Sequence, residues 1–600
     1  MLRPLRLIRF DSDEIVDTSD SPPEIMDRQV REELYHASSG PLQMSGPLPP
    51  LSGILEEVPP SEAEAQKLLK RTPRSYLLNQ AYGFWFFASW FFLTIIITRT
   101  LNNTDYGVYA VALSAFNTIA YVVALGLEDA TVTFVPRVLA EHGQAAAALL
   151  SRRLLGLRIA ILMLSVVIMV FTLPLLAALI AIIPIQGSGN VAAGLRDPKL
   201  LGHILPIAIY VLGNGISGLL TALCAAVMRM RIVFIIGGIT QLLLLIIGFI
   251  VLHLGWGVDG MLWLLAVSSL LNALAFALWQ APFLFARGAT YKQAMKPVVR
   301  LGISAWLTNL VSGALLKQVS IILLGYFAIS LVQIGYFNLS FQLAHSANLL
   351  LVAGFGGVGG SALAASFIGK NHERLAVSWQ TLIKIESLLA APVLVFCLFN
   401  AQNIATTLYG TNFDPVGPLL AIFLFFNIFV RVLGTTIHQS TLYVVGRARL
   451  VVLSQWVGLI VVILLGLLLI PLNGPTHGPA GALVADGLAQ VITGALLLVF
   501  LARDLPRKYP LGFTLRLLLA LTIAALPSII WHPTNRILLG ISGGIFLILS
   551  FGLLLLIKPL SAEDLEMIAD VNPMVAKYLK WFARGQNGKH SGREQTPDTM

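Results

Sequence analysis

Apolar runs separated by short polar links fill this chain from about Ser75 to Ile557. One bilayer crossing requires about 20 apolar residues in a helix, so each run is read as a spanning helix. The expected limits are 78 to 98, 106 to 127, 157 to 180, 202 to 223, 232 to 253, 258 to 284, 301 to 325, 334 to 357, 379 to 399, 416 to 438, 451 to 471, 479 to 501, 512 to 531 and 536 to 557. These make about 14 transmembrane helices. The fold class that follows is an all-α polytopic membrane protein.

The links test that count. With a cytoplasmic N-terminus, Lys and Arg should recur in every second link. They do: Arg137, Arg152 and Arg153 share one link, Arg229 and Arg231 the next basic one, and Arg287, Lys292, Lys296 and Arg300 the third. Lys370 with Arg374, Arg447 with Arg449, and Arg503, Arg507 and Lys508 continue the rhythm. The intervening links carry only Arg99, Arg196, Lys199 and Arg536. A miscounted helix would break the alternation, so both termini are expected in the cytoplasm and the chain in the cell membrane.

An internal repeat divides the helices. DYGVYAVALS (105 to 114) is echoed by QIGYFNLSFQ (333 to 342); MRMRIV and GWGVDG (228 to 233, 255 to 260) are echoed by GRARLV and HGPAG (446 to 451, 477 to 481). A six-helix repeat returns the chain to the same side, and two such halves are related by an axis along the membrane normal, with a cleft between them. The expected organisation is therefore a six-helix bundle over 75–300, a second over 301–502, and two further helices over 503–557. Residues 1–74 are expected to be a disordered acidic cytoplasmic tail ending in a basic collar of Lys67, Lys70, Arg71 and Arg74. Residues 558–600 are expected to form a second cytoplasmic tail, with a capping-box pattern at Ser561 and Asp564 and an amphipathic helix over 575–584.

Composition narrows the function. The chain is 56% hydrophobic and 12% charged, against about 25% charged in soluble domains. Its net charge of +10 is accounted for by the inner links, so nucleic acid is not an expected partner. Cys224 and Cys397 both lie in apolar runs and indicate neither a disulfide framework nor a zinc site. No catalytic spacing is present, and the outer links are too short to hold sugars for chemistry. The expectation is not an enzyme, with no cofactor or metal.

Polar residues inside the spans are the candidate site, because an uncompensated cation at mid-depth costs about 2.5 to 3.5 kcal/mol on insertion scales. Asn309, Ser312, Gly313, Lys317 and Ser320 fall on one stripe of the seventh helix, with Lys317 near mid-depth. Asn338, Gln342 and His345 share a face of the eighth, and Asn427, Arg431, Gly434, Thr435 and His438 a face of the tenth. Arg99 ends the first helix. The expected substrate-binding cleft is lined by Arg99, Lys317, Arg431, Asn309, Asn338, Gln342, His345, Asn427 and His438. Alternatives stand beside it: neutral residues at this spacing also serve helix packing, Arg431 can snorkel, Arg99 can anchor an interface, and the histidines can be satisfied core residues. Glu386 in the ninth helix has no partner on its own face.

Arg99-x-Leu101, then Asp105-Tyr106-Gly107-x-Tyr109, Gly126-Leu127, Pro136-Arg137 and the later ILLGYF to IGYF (322 to 337) resemble the polysaccharide-exporter (O-antigen, or lipid-linked oligosaccharide, flippase) family of the multidrug/oligosaccharidyl-lipid/polysaccharide exporter superfamily. The resemblance implies transport of a polyprenyl-diphosphate-linked oligosaccharide for cell-surface polysaccharide biosynthesis, by rocking of the two halves. It also implies membrane lipids and glycan-assembly proteins as partners. A monomer is expected, and H+ or Na+ coupling is left open. Members often carry an acid where Ser320 stands here. The alternative within the same superfamily is a multidrug or toxic-compound extrusion antiporter, whose cationic cargo would favour carboxylates.

Overall fold

The computed structural model describes residues 62–182, 202–227, 229–286, 288, 293–310, 315–352, 363, 366–367, 371–531, 533, 535–561, 564–565 and 580–582. The acidic tail expected over 1–74 falls mostly outside the described residues, as does most of the helix expected over 575–584. Every regular element described is helical. The first half contains α1 (Glu62–Thr100), α2 (Asn103–Ala124), α3 (Leu127–Ile182), α4 (Ile204–Ala226), α5 (Met230–His253) and α6 (Gly257–Leu284). Next come α7 (Met295–Asn309), α8 (Leu315–Tyr326), α9 (Leu331–Val352), α10 (His372–Phe399), α11 (Ala401–Tyr409), α12 (Val416–Leu433) and α13 (Thr435–Val444). The last are α14 (Ala448–Leu472), α15 (Gly474–Leu501), α16 (Leu511–Ala524), α17 (Leu526–Ile530) and α18 (Arg536–Ile557).

Among the described residues, ten helical segments are long and apolar enough to cross a membrane. The other expected spans fall on α3, on α9, on the short α16 with α17, and, for 301 to 325, on two pieces, α7 and α8. Asparagines set several starts: Asn102, Asn371 and Asn535 each accept from a backbone N–H in the first turn they cap, at 2.8, 3.0 and 2.9 Å. Side-chain oxygens there satisfy donors that lipid cannot.

Lipid tails are as apolar as leucine, so helix association here rests on close contact through small residues. A Cβ on Gly213 of α4 would lie 2.6 Å from the backbone carbon of Ser269 in α6. Within the first half α3 packs on α4, α4 on α6 and α1 on α5; within the second, α14 packs on α15 and α12 on both α10 and α15. The two pieces over 301 to 325 divide between them, α7 lying against α3 and α8 against α14 and α15. α16 and α18 pack together and on α10.

Like links meet like. At the basic-poor end Arg99 reaches Leu408, Asn103 reaches Asn412, and His203 reaches Asp259 at 3.0 Å. At the basic-rich end Arg153 reaches Gln293, Arg447 pairs with Asp504, and Arg507 with Glu373. The apolar cores follow the same division. One continuous cluster joins the halves at the basic-poor end, bringing Ile97, Tyr106 and Phe116 together with Phe337, Leu339 and Phe413. Toward the basic-rich end the first half keeps its own core, including Leu127, Leu223 and Phe283, and the second half another, including Trp379, Leu442 and Leu501. The apolar core is shared at the basic-poor end and divided toward the basic-rich end, where α7 still joins the halves: a Cβ on Gly126 would lie 2.0 Å from the carbonyl oxygen of Gly302.

Candidate functional site: the seam between the halves

The seam is centred on the repeat itself. Gly107 of DYG and Gly335 of QIG are equivalent positions in the two copies, and they stand face to face across α2 and α9. A Cβ on Gly107 would lie 2.3 Å from the carbonyl oxygen of Leu331, and one on Gly335 would lie 3.1 Å from the Cα of Gly107. No larger residue allows the backbones this approach. Two copies of one motif thus meet here backbone to backbone.

Polar side chains cross the seam along its length. Arg99 Nε donates to Leu408 O at 2.8 Å, and its Nη2 to Thr407 O. Asn103 Nδ2 donates to the Tyr336 hydroxyl at 2.8 Å and to Asn412 O at 2.6 Å. Further in, Gln342 Nε2 donates to Thr94 Oγ1 at 2.8 Å, and Ser114 Oγ to Gln318 Oε1. Nearest the basic-rich end, Trp306 Nε1 of α7 donates to Tyr121 O at 2.9 Å. Phe413 closes the other end between Tyr106 and Tyr336, with ring centroids 5.5 and 6.2 Å away and planes near perpendicular, the edge-to-face arrangement aromatic quadrupoles favour.

The expected cleft residues separate into groups. Arg99, Asn338 and Gln342 lie on the seam: Asn338 is buried beside the Tyr106 hydroxyl, and its Nδ2 has no partner among the described residues. His345 continues that face of α9, exposed and stacked on Phe341. The side chains of Lys317 and Asn309 lie outside what is described. Arg431, Asn427 and His438 are found within the second half. Asn427 donates to Phe423 O of its own helix at 3.0 Å. His438 is fully buried and its Nδ1 accepts from Trp379 Nε1 at 3.0 Å, the satisfied-core geometry.

Arg431 changes the electrostatic picture. Its Nη1 lies 2.9 Å from Glu386 Oε1, with the carboxylate side chain 1% exposed, and it also donates to Thr436 Oγ1 at 3.1 Å. This is the partner that Glu386 lacked on its own face, and it stands on α12. The pair is neutral as a unit, so Arg431 adds no unbalanced positive charge to a cleft. The first half holds a matching device. Arg158, 3% exposed, donates to the carbonyls of Val123, Ala124 and Gly215 and pairs with Glu128 at 2.8 Å. The signal was there to find, as Arg158 opens an apolar run 30 residues after an unpaired acid. Gln318 and Thr94 were also missed, since neutral residues carry no comparable mark.

A family profile described as "Polysaccharide biosynthesis protein" matches residues 96–418, more than half of the chain. The chain belongs to this family. No curated protein sequence matches it. Among solved structures it is similar to the lipid II flippase MurJ in an inward closed conformation, at 14% identity and a TM-score of 0.55, over 78% of this chain and 96% of MurJ. It is also similar to an inward-facing multidrug resistance MATE family transporter of the MOP superfamily, at 15% identity and a TM-score of 0.52, over 69% of this chain and 92% of that one. At such identities the likeness establishes the fold. The family and the ten long apolar helices make the chain a multi-pass membrane protein of polysaccharide biosynthesis with the fold these two transporters share.

Proposed function

We propose that the protein flips a polyprenyl-diphosphate-linked oligosaccharide from the inner to the outer leaflet of the cytoplasmic membrane, by alternating access between two six-helix halves. In this reading the chain crosses the membrane fourteen times, both termini are cytoplasmic, and the basic-rich end faces the cytoplasm. The observation that supports it is the seam, where two copies of one repeat meet at Gly107 and Gly335 and the apolar core is shared at the basic-poor end but divided toward the basic-rich end, a division that alternating access between two halves would use. The cargo's sugars meet the seam residues Asn338, Gln342 and His345, and its lipid tail stays in the bilayer. Its diphosphate is drawn by Lys317 rather than Arg431. Lys317 precedes Gln318, whose side chain meets Ser114 of the other half, so its backbone stands at the seam.

The test is reconstitution into liposomes with a fluorescent polyprenyl-diphosphate sugar and, in parallel, a cationic dye. Flipping of the sugar lipid, lost in Lys317→Ala while the protein still inserts, is the expected result. Transport of the dye alone would replace this reading with the extrusion antiporter.

A further inference from the structure

Away from the seam, α10, the start of α16 and the segment after α18 line an open cavity of about 390 Å³, within the usual size range of small-ligand sites. One wall is the turn Pro559 to Ser561, held in place by a buried carboxylate. Asp564 accepts from Thr381 Oγ1 at 2.7 Å, from Lys384 Nζ at 2.6 Å, and from the backbone N and Oγ of Ser561 at 2.8 and 2.7 Å. The opposite wall is fixed where Gln380 Nε2 donates to Lys508 O at 2.6 Å.

With Lys384 compensated by Asp564, the cations left in the lining are Lys508 and Arg516. Both are exposed, and no ion pair to either is present among the described residues. Down α16 from this point run Leu511, Leu515 and Leu519, spaced by four and 58%, 59% and 61% exposed. A pair of cations at the head of an apolar track has the shape of an amphiphile. A soluble anion would use the cations and leave the track idle.

We propose that this cavity binds the phosphate of a membrane lipid between Lys508 and Arg516, with the acyl chains lying along Leu511, Leu515 and Leu519. The site is separate from the transport seam and does not depend on what the seam carries. Each surface cation contributes about 1 kcal/mol toward an anionic lipid, which sets the expected losses. Native mass spectrometry of the full chain, titrated with phosphatidylglycerol or phosphatidylcholine, measures them. Wild type should hold one phosphatidylglycerol in preference to phosphatidylcholine. Lys508→Gln with Arg516→Gln should weaken it by roughly 30-fold, and Lys508→Gln alone, in a link outside the spans, by roughly fivefold. Arg229→Gln with Arg231→Gln, which removes two exposed cations of another link, should leave it unchanged. Equal loss in that control, or no loss in either cavity variant, would overturn the site. Displacement of the lipid by millimolar inorganic phosphate would overturn the lipid as its occupant.

Discussion

Replacing Gly107 with alanine places one methyl group where α2 lies against the backbone of α9. The new Cβ would lie 2.3 Å from the carbonyl oxygen of Leu331 and 2.6 Å from its carbon, against an ordinary contact of about 3.5 Å. Both opposing atoms are backbone, so no rotamer change relieves the overlap, and α9 itself must retreat by about 1 Å. Overpacking of this kind costs about 1 to 3 kcal/mol. At 1.4 kcal/mol per tenfold, the state with α2 and α9 in contact should lose about 5- to 150-fold in population relative to any state in which they have parted. Spin labels at Thr104→Cys and Thr411→Cys, in a background of Cys224→Ala and Cys397→Ala, would read the separation across that end by electron–electron distance measurement. The expected result is a second, longer distance in Gly107→Ala. A smaller shift is expected in Gly335→Ala, whose nearest contacts are 3.1 and 3.2 Å. A folded Gly107→Ala protein with the single short wild-type distance would refute the claim that this contact holds the halves together.

Arg431→Ala should act on stability before transport, because it strands the buried Glu386. Losing one partner of such a pair costs about 3 to 5 kcal/mol, visible as a lower melting temperature in detergent, while Arg431→Met with Glu386→Leu should recover most of it. Arg158→Met should likewise destabilise by several kcal/mol, since Glu128 and three carbonyls lose their shared donor; a melt equal to wild type would contradict the burial. The Asp564 contact carries a pH signature. Burial pushes its carboxyl up, but Lys384 beside it and the hydrogen bonds from Lys384, Thr381 and Ser561 outweigh burial and hold it below the ordinary value of 3.8. A depressed folded value means stability that is present above the unfolded pKa and lost as pH falls through the folded one. Hydrogen exchange over residues 559 to 561, corrected for intrinsic rate, should therefore be flat over roughly pH 5 to 8 and rise only below 3.8. Asp564→Asn should raise it already at neutral pH.

Ten of the expected spans were legible among the described residues because each satisfies one local requirement, length and apolarity, that asks for no tertiary information. The least conspicuous element of the expected repeat, the paired glycines, turned out to mark a close backbone approach of α2 and α9. What periodicity could not supply was which face meets which. Lys384 and Glu386 are two residues apart on one helix, yet one is bound by the segment after α18 and the other by α12. Arg431 and Lys317 drew notice as intramembrane cations, but a charge identifies itself in a sequence while its partner does not. The capping pattern at Ser561 and Asp564 was visible locally, and Ser561 and Asp564 do bond each other. That the same carboxylate also fastens the tail to α10 depends on a contact 180 residues away.

The fused apolar end also bears on electrical insulation. A membrane that stores energy as an ion gradient cannot tolerate a continuous wet path, however brief. Tyr106, Phe116, Phe337 and Phe413, all nearly inaccessible to water, make a dry stopper at the mouth opposite the separated cores. Protons and sodium ions would have to shed their hydration to pass it, so leakage is barred there whatever the basic-rich end does.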